Sequence, residues 1–251
     1  MGSYRFTKDY GIIYGNTAKD LKATPVALLQ FLEDSAISHS DASNLGMDDL
    51  NAHQVSWVLS GWSIMVMRYP ALSEKIRVET WASGFERFRA TREFEIIDGQ
   101  GDTIVKASSQ WIFINTATKR PVRIPADFKD RYRVDVSASF RDILPDIDKI
   151  KKPDSSTDYR VRKRDIDSNG HVNNVTYLEW MLEAVDHETS GDLSPECIDI
   201  VYKNGITFGT MIESAFEVKT KDNKGQLVTL HEIKNKDKNT PSAMGKIFWN
   251  K

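Results

Sequence analysis

One cysteine, Cys197, stands in a chain of 251 residues. A lone thiol excludes an intrachain disulfide framework and any cysteine-based metal cluster, and it suits a reducing compartment. Cys197 itself reads as a small buried apolar residue at a strand start. Neither sign of charge is in excess: 34 Lys and Arg face 36 Asp and Glu, a formal net charge of −2. No global basic field therefore argues for nucleic acid. No apolar run approaches the ~20 residues of a membrane-spanning helix, and the amino terminus MGSYRFTKDY lacks a signal-peptide core. Gly2 invites N-myristoylation, but Phe6 fills the place where that motif wants Ser or Thr. His39, His53, His187 and His231 are scattered without metal-ligand spacing, and neither a Gly-x-Ser-x-Gly elbow nor a phosphate loop is present. The expectation is a soluble cytoplasmic protein without metal or cofactor, binding neither membrane nor nucleic acid.

What is present is an ordinary globular composition, 40% hydrophobic and 28% charged, in a pattern that occurs twice. Residues 4 to 14 read as a strand. Thr24 and Pro25 then supply a cap and a first-turn proline for PVALLQFLEDSAISHS, with Val26, Leu29, Leu32 and Ala36 on one face. After a polar loop through residue 54 come four β-like runs, VSWVLSGWSIMVMRYP, KIRVETWASGF, RATREFEIID and TIVKASSQWIFIN, rich in Val, Ile, Trp and Phe. In the second half YRVRKRD echoes YRFTKDY, TYLEWMLEA echoes QFLEDSAIS, four more β-like runs follow, and KIFWN at the end repeats WIFIN at 111. The matches keep the order of the elements, which indicates an internal duplication of a strand, a helix and four strands. Residues 134–158, rich in Asp, Ser, Lys and Pro, read as a surface linker between a first domain (1–133) and a second (159–251).

The chemistry concentrates in DIDSNGHVNNVTYLEWMLEAVDH, residues 165–187. Asp167, Asn169 and His171 fall on alternate positions, so an extended backbone would project them from one side. Behind them Val175, Leu178, Leu182 and Val185 recur with helical period, widened by Trp180 and Met181. A helix this apolar is expected to be buried, with its amino end pointing the triplet into the domain. Asp167 and Asn169 alone would suit turn and cap roles. An acid, a carboxamide and an imidazole together exceed what capping requires. The first half carries GNTAKDLKATP at the corresponding place, so one half holds the chemistry.

The run Asp-Ile-Asp-Ser-Asn-Gly-His-Val-Asn-Asn, with Tyr177 and Trp180 after it, resembles the catalytic segment of the plant and bacterial acyl-ACP thioesterases. MRYPALSEKIRVETW (67 to 81), ASSQWIFINTATKRPVRIP (107 to 125) and a VYKNG strand are similar to further segments of that family. The resemblance implies an α+β tandem hot-dog fold, each half an antiparallel sheet wrapped around a long central helix, the first half lending the acyl-chain cavity. It implies hydrolysis of a fatty acyl thioester on acyl carrier protein, with Asp167, Asn169 and His171 as catalytic positions. The backbone amides around Gly170 to Asn173, at the head of the expected helix, carry partial positive charge and can stabilise an oxyanion. In one respect the chain departs from the plant pattern. Where plant members carry a Glu-Cys pair, this chain has Gly205 and Ile206, neither of which can serve as base or nucleophile. Direct attack by water follows, and the division of labour between Asp167 and His171 stays open. Arg160, Arg162, Lys163 and Arg164 fit either docking of an acidic carrier or simple solvation, with Lys119, Arg120 and Arg123 weaker docking candidates. Trp57, Trp62 and Trp81 fit an acyl channel or core packing equally. Acyl-CoA hydrolysis, a hot-dog dehydratase or hydratase, a non-catalytic acyl-binding protein and a homodimer remain alternatives at this level.

Overall fold

A computed structural model describes residues 4–141, 144–219 and 226–250. It divides into two compact units, Met1–Leu144 and Pro145–Lys251. The first contains β1 (Phe6–Gly11), α1 (Pro25–Ala42), α2 (Met47–Ala52), β2 (Val55–Val66), β3 (Lys75–Glu86), β4 (Arg89–Ile97), β5 (Thr103–Asn115) and α3 (Phe128–Tyr132). The second contains β6 (Ser155–Arg160), α4 (Asn174–Ala184), α5 (His187–Ser190), β7 (Ser194–Tyr202), β8 (Met211–Lys219), β9 (Leu227–Asn235) and β10 (Thr240–Asn250).

The four expected runs of each half are strands, and all their pairings are antiparallel. Strand order is β1-β3-β4-β5-β2 in the first unit and β7-β10-β9-β8-β6 in the second. In each unit the long helix lies against the sheet, α1 on β1 and β3, α4 on β6, β8 and β9. Leu28, Leu29 and Leu32 of α1, and Leu178 and Met181 of α4, are completely buried, each contributing roughly 1.5–3 kcal/mol by removal from water. Trp62 and Trp81 are core residues, fully enclosed, and Trp57 packs with Phe85, Phe113 and Phe128. Of the two readings, core packing is the one these contacts support. Cys197 is buried on β7, as its apolar reading required.

Several local expectations shift. The loop before β2 contains α2, because Gly46 starts a turn whose N–H reaches the Asp49 carboxylate while Leu50 buries against the core. Helix α4 stops at Ala184, and Leu182 lies at the edge of its buried face rather than at the centre. The strand opening the second unit starts at Ser155, so only Tyr159 and Arg160 of YRVRKRD belong to it. Part of the 134–158 stretch is pinned to the first unit. The Trp81 indole N–H donates to Ser137 O (2.8 Å), the Ser139 amide to the buried carboxylate of Glu93 (3.1 Å) and the Arg141 amide to Ser108 Oγ (3.0 Å).

The duplication extends to single hydrogen bonds. Each unit passes from its first strand through a short 3-10 turn, Tyr14–Asn16 or Lys163–Asp165, into a closed loop and then its helix. The Ala18 amide donates to Lys22 O and the Asp167 amide to His171 O (2.9 and 2.8 Å). Leu21 donates to Ala18 O as Gly170 donates to Asp167 O (3.0 and 3.1 Å). Leu21 and Gly170 both take positive φ, +59° and +78°, a conformation in which glycine is at ease and leucine is strained. Thr24 caps α1 as Asn173 caps α4, each side chain accepting a first-turn amide. Asp167, Asn169 and His171 are thus the structural counterparts of Ala18, Asp20 and Lys22.

Candidate active site

Asp167 to His171 form a tight loop, closed by the isolated bridge between Ile166 and Val172, so the triplet does not project from an extended strand. Nor does it point into the domain interior. Asp167 is half-buried, and Asn169 and His171 are exposed. The flank of α4 packs against the sheet, but its amino end is where the chain arrives from a surface loop, so burial of the flank does not carry the loop inward.

The three residues are brought together around one carboxylate. Asp167 Oδ1 accepts the amides of Asn169 (2.8 Å) and His171 (3.2 Å), while Asp167 Oδ2 accepts Asn169 Nδ2 at 3.4 Å. Asp167 therefore shapes the loop, and among the described residues its side chain is bonded to backbone and carboxamide groups, not to the imidazole. Among the described residues the imidazole of His171 has no hydrogen-bond partner. Its face rests on Gly205 in the β7–β8 connection. A Cβ on that glycine would stand 2.9 Å from His171 Cδ2 and 3.6 Å from Nε2, so only glycine lets the ring lie there undisplaced. The same connection is tied to the loop by the Val172 amide, which donates to Ile206 O at 2.8 Å.

The expected amide donors are largely committed. Gly170 donates to Asp167 O, His171 to Asp167 Oδ1, Val172 to Ile206 O and Asn173 to Asp165 O. Asn174, the first residue of α4, is the next amide in line and has no acceptor among the described residues. Asn173 Oδ1 takes the Val175 amide (2.9 Å). Below the loop Tyr177 is almost wholly buried. Desolvation drives its hydroxyl well above the ordinary tyrosine range, the Ile206 backbone opposes this, and the Asp167 carboxylate adds to it. Tyr177 thus stays a neutral phenol under the loop, and its ring meets Tyr202 edge-on with centroids 5.4 Å apart.

Sequence reasoning placed Gly205 only as a missing acid. Its role as the seat of the imidazole depends on a contact across 34 residues of chain that no local pattern encodes. Among the described residues no group of three or more His, Cys, Asp or Glu side chains converges as a metal site. Two open pockets, of about 270 and 540 Å³, are lined by first-unit residues and contain no member of the triplet. No helix among the described residues is long and apolar enough to cross a membrane.

Comparison with known proteins gives one answer from three directions. The chain is 28% identical over 200 residues to a chloroplastic palmitoyl-acyl carrier protein thioesterase of Cuphea hookeriana, covering 73% of this chain and 47% of that protein. It is 25% identical over 243 residues to a chloroplastic dodecanoyl-[acyl-carrier-protein] hydrolase of Cinnamomum camphora, covering 90% and 63%. The chain spans about half the length of the first of these curated relatives. Its fold is shared with a putative oleoyl thioesterase of Lactobacillus plantarum (TM-score 0.91, 24% identity, 99% of this chain and 96% of that one). It is shared also with the 12:0-ACP thioesterase of Umbellularia californica (TM-score 0.87, 19% identity, 98% and 94%). The tandem hot-dog architecture expected from the resemblance is the one these structures share. Residues 3–132 match the acyl-ACP thioesterase N-terminal domain and residues 148–251 the acyl-ACP thioesterase C-terminal domain, and the chain belongs to the acyl-ACP thioesterase family.

Proposed function

We propose that the chain hydrolyses the thioester of a fatty acyl group carried on acyl carrier protein, releasing fatty acid and carrier thiol, in a reducing cytoplasm that suits its single thiol. The observation that carries this reading is the exposed imidazole of His171, without a hydrogen bond among the described residues and held against Gly205 beside a loop whose carboxylate is bonded to the carboxamide and to loop amides. Family membership supplies the substrate class.

A thioester needs little help with its leaving group, because an ordinary thiol has a pKa near ~8.5. It needs a base for water, a fixed polar group to aim that water, and a contact for the developing oxyanion. His171 takes the proton of the attacking water, a contribution worth roughly 10²–10⁴-fold. Asn169, pinned through its Nδ2 to Asp167, turns its carboxamide oxygen to the same water. Asp167 acts by holding both residues in register, a part supported by the loop amides and the carboxamide that its side chain accepts, and the imidazole is the base. The amide of Asn174, at the positive end of α4, meets the oxyanion. Loss of the plant carboxylate at position 205 is compatible with this scheme, since no step uses a second acid. The first unit, whose equivalent loop has Ala18, Asp20 and Lys22, supplies shelter for the acyl chain and no chemistry.

The test is a panel of acyl-ACP and acyl-CoA thioesters of varied chain length, scored for free thiol and fatty acid. Release from acyl-ACP that disappears in His171→Ala supports the reading. Release from neither carrier, or release undiminished in His171→Ala, overturns it.

A further inference from the structure

The segments flanking the candidate site carry cations that form no ion pair among the described residues. Of the basic run that precedes the triplet, Arg162 is bound to the buried carboxylate of Asp165 (2.9 Å) and Arg164 reaches Glu179 (3.5 Å). These two serve the fold. Arg160 and Lys163 are exposed and form no ion pair among the described residues. A third cation of the same kind, Lys203, sits on the β7–β8 connection two positions before Gly205, exposed and likewise without an ion pair. Its amide is fixed to Ser242 O (2.8 Å), so the backbone that bears it is anchored.

Apolar side chains lie among these charges. Phe208, on the same connection, is 58% exposed, and Met211, which opens β8, is 36% exposed. Met211 is the register partner of Arg160 across the β6–β8 pair. The connection is drawn onto the chain that leads to the triplet by two further bonds, Val161 N–H to Thr210 O (3.0 Å) and Gly209 N–H to Val161 O (3.2 Å). An aromatic ring left in water beside unpaired cations, on backbone that is itself tied down, has the composition of an interface: an apolar anchor within a polar rim.

We infer that Arg160, Lys163, Lys203, Phe208 and Met211 form the docking surface for the acidic protein that carries the acyl group, the cations steering it and Phe208 seating it so that the thioester meets His171. This inference rests on the hydrolytic reading above and adds the face through which the carrier approaches. Electrostatic steering acts on encounter and falls with ionic strength, whereas the chemistry at His171 is unaffected by it.

The experiment compares the wild-type chain with the triple variant Arg160→Glu, Lys163→Glu, Lys203→Glu and with Phe208→Ser. Each is assayed on an acyl-ACP and on the same acyl group carried by N-acetylcysteamine, which has no protein to dock. Binding of holo-ACP is measured separately by fluorescence anisotropy. The expected result is a KM for acyl-ACP raised at least about ten-fold in the triple variant, with kcat unchanged, a gap that narrows at high salt, and N-acetylcysteamine thioester turnover within two-fold of wild type. Phe208→Ser raises KM without altering the salt dependence. An unchanged KM for acyl-ACP, or an equal loss on both substrates, overturns the inference. If the wild-type chain cleaves neither thioester yet binds holo-ACP, and the triple variant does not, the docking surface stands and the hydrolytic reading falls. If neither protein binds holo-ACP, the docking surface falls.

Discussion

Gly205→Ala tests the site through one methyl group. The added Cβ would lie 2.9 Å from Cδ2 of His171 and 3.5 Å from Cγ, against the ~3.5–4.0 Å at which carbon atoms rest in contact. The backbone at 205 belongs to an anchored connection, whereas the imidazole is an exposed side chain with no hydrogen bond to hold it. The ring is therefore what moves, by about 0.5–1 Å. A displacement of that size at a catalytic group costs up to ~10²-fold, so kcat is expected to fall about 10- to 100-fold, or roughly 1.4–2.7 kcal/mol of barrier. KM should change little. Stability should stay within about 0.5 kcal/mol, because the site is exposed and Gly205 has no left-handed backbone to strain. Steady-state kinetics and urea unfolding on the same preparations separate the two quantities. Combining Gly205→Ala with His171→Ala should cost no more than His171→Ala alone, since both act through one ring. Gly205→Glu begins with the same Cβ, so restoring the acid of the plant pattern should lower activity too. Wild-type kcat in Gly205→Ala, or a gain in Gly205→Glu, would refute the argument.

Three further outcomes follow from the same geometry. Asp167→Ala removes the acceptor for two amides and a carboxamide and should cost about 1 kcal/mol of stability with most of the activity, while Asp167→Asn, which keeps one acceptor oxygen, should retain at least about ten-fold more activity than Asp167→Ala; equal loss in the two would show that the charge, not the loop, matters. Thr24→Ala and Asn173→Ala should each cost about 1 kcal/mol in urea unfolding, with Asn173→Asp close to wild type, because each side chain accepts one first-turn amide. His39 and His231 are buried, and desolvation, joined at His39 by the neighbouring Arg92, lowers each to about 3 from the ordinary 6.5. Between those values the unfolded chain binds protons that the folded chain refuses, so stability is intact above pH 6.5 and falls as the pH drops, by about 1 kcal/mol per pH unit per histidine; unfolding midpoints at pH 7, 6 and 5 should show this slope reduced in His231→Gln, and an unaltered slope would contradict it.

The elements and the duplication were legible because they rest on local patterns. Alternating Val, Ile, Trp and Phe mark β2 to β5, and Thr24-Pro25 marks the head of α1. The register of the duplication was not legible. Matching YRVRKRD to YRFTKDY sets Tyr159 against Tyr4, whereas the common loop geometry sets Tyr159 against Tyr10 and Asp165 against Asn16. What the halves share there is a path of backbone hydrogen bonds, which many side chains permit, so identical letters are a poor guide to equivalent places. The site shows the same division. That an acid, an amide and an imidazole stand together could be read from their spacing. That the acid faces the loop amides, that the amides from Gly170 to Asn173 are already engaged, and that the imidazole rests on a glycine from another connection all depend on closure of the loop in three dimensions. Leu21 makes the point from the other side. It holds a positive φ that Gly170 adopts freely, so the first unit keeps the loop at a cost in strain although Ala18, Asp20 and Lys22 put no acid–amide–imidazole set on it. Loop shape and loop chemistry are therefore separable in this chain: the backbone sets where three side chains will stand, and the second unit places an acid, a carboxamide and an imidazole at the positions where the first has Ala18, Asp20 and Lys22.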